Sequence, residues 1–168
     1  IHVKGLELET TWLMSANTEL QLIASRTLAN FDTFKQGTCW VAYSWHTGID
    51  DPGRASPADP YCARDGDRVG FEPQNSLSLM LNHHFLVASY DATISADYQY
   101  TGEVYLDDSN DPYKQSGSYE IINARLSLQL EEWDTEIIVW ARNLLDEEYI
   151  ARSGFDVPVQ EGKLMAYP

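Results

Sequence analysis

The side chains best equipped to hold a ligand lie close together: Trp40, Tyr43, Trp45 and His46 put three aromatic faces and an imidazole into one short stretch. Such faces stack on flat ligands, and their polar tips add hydrogen bonds at the edge. The plainer reading, which these residue types favour, has them pack their loop against its neighbours. They lie between Cys39 and Cys62, in a stretch that also holds Pro52, Gly53, Pro57 and Pro60. A disulfide closing a loop of about twenty residues contributes roughly 3 kcal/mol by the chain-entropy estimate, and it persists in an oxidising compartment. Disulfide pairing is favoured over two unrelated free thiols. A metal site is disfavoured, because CxxC spacing is absent and His46 is the only imidazole between the cysteines.

Other chemical groups point nowhere specific. His83 and His84 are adjacent, so on a strand they face opposite sides and cannot form one ligand pair. Asp107, Asp108 and Asp111 carry hard oxygens suited to calcium, but no EF-hand spacing surrounds them and a solvated acidic loop is expected. Neither a Ser-His-Asp arrangement nor a phosphate-cradling glycine loop appears. Paired glycosidase carboxylates are defined by separation in space, not in sequence. An enzyme is therefore not expected, and no cofactor is implied. With 26 acidic and 11 basic residues, a net charge of −15 excludes nucleic acid as partner, since phosphate binding needs clustered Lys and Arg. The ten Tyr and five Trp are amphipathic side chains that suit interfaces.

The elements that must position these residues read as strands. Period-two alternation runs from Val3 to Met14, with Leu6, Leu8, Trp12 and Met14 on one side. It continues from Glu19 to Phe31 with Leu20, Leu22, Ala24 and Leu28, and from Ser76 to Leu86 with Leu77, Leu79, Leu81 and Phe85. The fourth segment opposes Ala92, Ile94, Ala96, Tyr98 and Tyr100 to Thr93, Ser95, Asp97, Gln99 and Thr101. The fifth, Tyr119 to Glu131, opposes Ile122, Ala124, Leu126, Leu128 and Leu130 to Asn123, Arg125, Ser127 and Gln129. In the sixth, Thr135 to Arg142, the run Ile137-Ile138-Val139 hides the faces. From Asn143 onward the chain reads as loop.

Tight turns are expected at Ser15-Ala16-Asn17, around Ser89-Tyr90-Asp91 and at Glu132-Trp133-Asp134. Long polar links follow the second segment, residues 32–75, and the fourth, Asp107 to Gly117. Short connections at one end and long loops at the other, with an apolar and a polar face, are the build of a transmembrane β-barrel. A soluble sandwich stapled by one disulfide is the alternative, with strands longer than such domains ordinarily use. No run of eighteen apolar residues occurs, so no spanning helix is expected. The fold expected is all-β, an antiparallel up-and-down meander of six long strands. Six strands cannot close a barrel, so both edges of the sheet are expected to be open.

Three passages carry a family resemblance: Val3-Lys4-Gly5-Leu6-Glu7-Leu8-Glu9, Gly117-Ser118-Tyr119 through Leu128, and Asn143-Leu144-Leu145-Asp146-Glu147-Glu148-Tyr149. In order and spacing they resemble the C-terminal part of the barrel of TonB-dependent outer-membrane receptors. The first is similar to that family's "GhExE" strand opening, the second to its "sYxlvNlrlsY" strand and the last to its "NLFDxxY" element. The resemblance implies residence in the bacterial outer membrane, with its lipid around the wall. It implies active import of a scarce nutrient, a ferric siderophore first, with haem, cobalamin or carbohydrate as alternatives. External loops would capture the ligand, which places Trp40, Tyr43, Trp45 and His46 as its contacts. The TonB complex would act through a plug and an N-terminal region. The chain opens on Ile1 and stops at Pro168, where the family's last turn would begin, so a longer protein with a plug, earlier strands and a closing strand is expected. Within the Asn143 element, the Asn side chain is expected to cap local backbone, while Leu144, Leu145 and Tyr149 sit at the lipid boundary.

Overall fold

The computed structural model describes residues 1–40, 51–56, 58–150, 152–153 and 166–167. Six long strands carry the architecture: β1 (His2–Ser15), β2 (Thr18–Asn30), β3 (Asn75–Val87), β4 (Tyr90–Thr101), β7 (Tyr119–Leu130) and β8 (Thr135–Ala141). They form one antiparallel sheet in the order β1-β2-β3-β4-β7-β8, each neighbour being the next long strand of the chain. Between β4 and β7 lies a small hairpin of β5 (Val104–Tyr105) and β6 (Gln115–Ser116), with a 3-10 turn at Pro112–Lys114. A last short ladder joins β9 (Arg152–Ser153) to β10 (Ala166–Tyr167). That ladder corrects the reading of everything after Asn143 as loop; two residues per strand are too few to leave a periodic signal.

Register turns the sequence alternation into two continuous faces, since residues directly opposite in a ladder share a face. One row runs Leu8, Ala24, Leu77 and Tyr100, and another runs Trp12, Leu20, Leu81, Ala96, Ala124 and Ala141. The blurred sixth strand is thereby resolved. Ile137 and Val139 stand opposite Leu128 and Leu126 on the apolar face, and Ile138 and Trp140 stand opposite Ser127 and Arg125 on the polar one. No second sheet covers the apolar face among the described residues, so Leu6 and Val139 are 76% and 63% exposed. A soluble sandwich needs two facing sheets, and among the described residues no second long-stranded sheet faces this one.

Short turns lie at one end. The turn between β3 and β4 is tighter than expected: Tyr90 and Asp91 already pair with Val87 and Leu86, which leaves only Ala88 and Ser89 to reverse the chain. Both take positive φ, 48° and 78°, as a two-residue hairpin turn demands to match the strand twist. After β7 the chain turns through a 3-10 segment, Glu131–Trp133, and Asp134 in the left-handed region with φ 47°. The buried side chains lie mainly outside the sheet. Cys62, Arg64, Ser109 and Asp111 are enclosed at the opposite end, where the long loops meet.

Candidate functional site

The long loops build a cap around one cation. In the link after β2, Arg64 points inward: its Nε and Nη2 donate to the Thr38 carbonyl at 3.0 and 2.8 Å, and Nη2 also pairs with Asp51. Both side chains are nearly inaccessible, at 2% and 1%. Asp51 accepts two further bonds, from the backbone N–H of Trp40 at 2.9 Å and of Gly53 at 2.8 Å. The Cys39–Cys62 disulfide closes the same layer, and Cys62 exchanges backbone bonds with Gly37 at 2.9 and 3.1 Å. Carboxylate, guanidinium and disulfide thus form one knot.

The loop between β4 and β7 docks on this knot. The Trp40 indole donates to the Ser109 carbonyl at 2.8 Å, and Asn110 bonds both the N–H and the carbonyl of Arg68, at 3.2 and 2.6 Å. Asp108 accepts the Gly70 N–H at 2.8 Å, and Phe71 donates to the Tyr105 carbonyl at 2.8 Å. Gly70 permits this approach, because a Cβ there would stand 2.5 Å from the Asp107 carbonyl carbon and oxygen. The two loops are consequently one unit.

Of the three aspartates of the second loop expected to be solvated, Asp108 is exposed, whereas Asp107 is half-buried and Asp111 is enclosed. Asp111 is buried, and Asp107 binds the Ser109 N–H and hydroxyl and the Lys114 ammonium at 2.9, 2.5 and 2.8 Å. Burial alone would raise the Asp107 pKa, but the hydrogen bonds from Lys114 and Ser109 outweigh it and hold the carboxyl below its ordinary value. Asp65 is lowered by its hydrogen bond from Lys35 and by the Phe34 N–H. Cys39, Asp51 and Cys62 bring ligand-type atoms within 4.8 Å of one another. The two sulfurs are bonded together and Asp51 is engaged by Arg64, so this set makes no metal centre.

Of the residues expected to contact a ligand, Trp40 is half-buried, its indole spent on Ser109 and its ring 6.0 Å from the Arg64 guanidinium. Tyr43, Trp45 and His46 lie outside the described residues. His83 and His84 do face opposite sides. Nδ1 of His83 bonds the Thr18 hydroxyl at 2.9 Å, and Nδ1 of His84 bonds Thr93 at 2.8 Å on the polar face.

The polar face holds a cavity of about 690 Å³, across β3, β4, β7 and β8. Its lining includes Asn82, Asp97, Asn123, Arg125, Trp140 and Arg142, which supply amides, both charge signs and an aromatic plane. Asp97 accepts from Asn123 at 2.6 Å, and the Arg142 guanidinium lies 5.1 Å from the Trp140 ring. The alternation in sequence marks Asp97, Asn123 and Arg125 as polar-face positions. It gave no sign that they share a hollow with Trp140, because that requires the register of β8.

At the end of β8, Asn143 works as a cap. Its Oδ1 accepts the Glu147 N–H and its Nδ2 donates to the Glu147 carbonyl, both at 3.0 Å, while its own N–H bonds Asn123 Oδ1 at 2.9 Å. Positive φ at Asn143 and Asp146, 49° and 52°, turns the chain sharply. Leu144 and Leu145 remain exposed, whereas Tyr149 stacks on Tyr119 with ring centroids 4.3 Å apart. Tyr119 stands opposite Thr101, on the polar side. Tyr149 therefore departs from the lipid boundary expected for it.

No family model matches the sequence, nor does any curated protein. Among solved structures the chain is similar to the ferric yersiniabactin uptake receptor FyuA from Yersinia pestis, with a TM-score of 0.69 and 16% identity. The match covers 98% of this chain and 21% of the receptor chain. At that identity the likeness is one of fold: this six-stranded meander is built like a section of a β-barrel receptor.

Proposed function

We propose that the chain forms part of the wall and the external loops of an outer-membrane receptor that imports a scarce nutrient under TonB power. A ferric siderophore is the first ligand class, ahead of haem, cobalamin and carbohydrate. The observation that carries this reading is the largely apolar face of the six-stranded sheet, over which no covering layer lies among the described residues and which suits lipid. The short turns at one end and the docked loops at the other fit the same orientation. Capture by the loop cap and passage along the polar face would require binding groups and no bond-making chemistry, so no enzymatic role is assigned. The protein that matches in fold is itself titled an uptake receptor, which supports the direction of the reading.

The test is uptake by cells. Deleting the gene should abolish accumulation of one labelled ferric siderophore under iron limitation, and removal of TonB should have the same effect. The full-length protein should fractionate with the outer membrane and migrate as a folded barrel when unheated. A protein recovered folded from the soluble fraction would overturn the proposal.

A further inference from the structure

The apolar face carries two basic residues where hydrocarbon contact would end. By register Lys4 stands opposite Leu28 and Arg26 opposite Leu6, so both share the face of Leu8, Leu22 and Leu77 and are diagonal neighbours. Both are exposed, and no carboxylate pairs with either among the described residues, whereas Lys35, Arg64, Arg68, Lys114 and Arg125 each have an acidic partner. Glu120, the outward-facing carboxylate of these strands, lies three strands from β2 and accepts a bond from the Tyr98 hydroxyl. The face is otherwise apolar or neutral around the pair.

Their height decides the partner. Met14, at the short-turn end of β1, is ten residues from Lys4. At about 3.4 Å per residue and a tilt of about 40°, Lys4 stands about 26 Å above it, and the apolar band of such barrels is about 25 Å tall. Lys4 has thus passed the hydrocarbon, and Arg26, level with Leu6 and about 21 Å up by the same reckoning, reaches the headgroups by extending its long side chain outward. Diagonal positions about 7–8 Å apart, carrying side chains this long, converge on one phosphate group.

Resting on the membrane reading above, we propose that Lys4 and Arg26 form a clamp for the phosphate of a phosphorylated glycolipid in the outer leaflet. The clamp fixes the height of the wall in the membrane, and this strongly acidic chain gains a local site for an anion.

The test uses the full-length protein in phosphatidylcholine vesicles containing a diphosphorylated glycolipid or the same glycolipid after dephosphorylation. Glycolipid retained by the barrel after mild detergent extraction is quantified. Retention of the phosphorylated form should fall about five-fold with Lys4→Gln or Arg26→Gln and about 25-fold with both, from the strength of single basic residues at anionic surfaces. Added salt should weaken it, and Lys35→Gln should not alter it. Migration as a folded barrel verifies each variant. Equal retention by the double variant, or of the dephosphorylated glycolipid, overturns the clamp while the membrane reading stands. Failure of the wild-type protein to enter either vesicle overturns both.

Discussion

Arg64→Met tests the cap at its centre. Removing one partner of a buried ion pair leaves the other charge enclosed, which costs about 3–5 kcal/mol. Here Asp51 keeps the N–H groups of Trp40 and Gly53, which places the effect at the lower end, about 3 kcal/mol. Thr38 also loses both guanidinium donors. If the cap opens locally while the sheet stays folded, that loss speeds amide exchange by about 150-fold, taking about 1.4 kcal/mol per decade. Hydrogen exchange with mass detection on the full-length protein in micelles reads this at Trp40, Cys62 and Arg64, whose N–H groups are all bonded within the cap. Amides of β3 and β4 serve as internal references. Adding Asp51→Asn removes the stranded charge but keeps only one of the two acceptor oxygens, which can still take the N–H of Trp40 or of Gly53, so the double variant should recover part of the lost protection. Exchange within three-fold of wild type in Arg64→Met alone would refute the idea that this pair holds the cap together.

Gly70→Ala should separate the two loops, because its Cβ would meet the Asp107 carbonyl carbon and oxygen at 2.5 Å, an overpacking that costs about 1–3 kcal/mol. Protection at Phe71 and Arg68, whose N–H groups bond across the two loops, should fall, while Gly66→Ala, with φ +83° but no atom within 4 Å, should cost about 1 kcal/mol within its own turn. Asn143→Ala removes two side-chain bonds to Glu147 and places alanine at φ 49°, a local loss of about 3 kcal/mol against about 2 for Asn143→Gly, read from exchange of the Glu147 amide. The depressed pKa of Asp107 sets a pH window: its folded value lies below 3.8, so its stabilisation is complete above the unfolded value and lost as pH falls through the folded one. Exchange from the β4–β7 loop, corrected for intrinsic rates, should thus be flat above about pH 5 and rise in stronger acid, and Asp107→Asn should remove that acid dependence.

The long strands were legible because one face of each must be apolar and the other polar, a local demand that period two records directly. The strand from Tyr119 was placed to within a residue by that signal alone, and the observed element ends at Leu130. Where the polar face accepts apolar side chains, the signal fails. Ile138 and Trp140 sit beside Arg125 and Ala141 along the cavity, so their strand shows no alternation, and only pairing with β7 assigns it. The Asn143 cap was legible for another reason: its main partner, Glu147, is four residues away.

The cap obeys neither kind of rule. Arg64 and Asp51 are separated by thirteen residues, Trp40 and Ser109 by sixty-nine, and Arg68 and Asn110 by forty-two. None of these contacts leaves a period, and every residue involved is of a type that ordinarily faces water or an interface. Reading Asp107 and Asp111 as solvated followed from composition; what composition could not contain is the Ser109 and Lys114 donors that the folded loop turns onto Asp107, or the Gly70 N–H that the first loop brings to Asp108. Fixed pairing of this sort has a functional consequence. Because Trp40 is tied to Ser109, a ligand stacking on that indole would meet both loops at once, and movement of either loop would be transmitted to the other. Any ligand-driven opening must then break the Trp40 to Ser109 bond and the Arg68 to Asn110 pair together, which makes the cap respond as a unit rather than loop by loop.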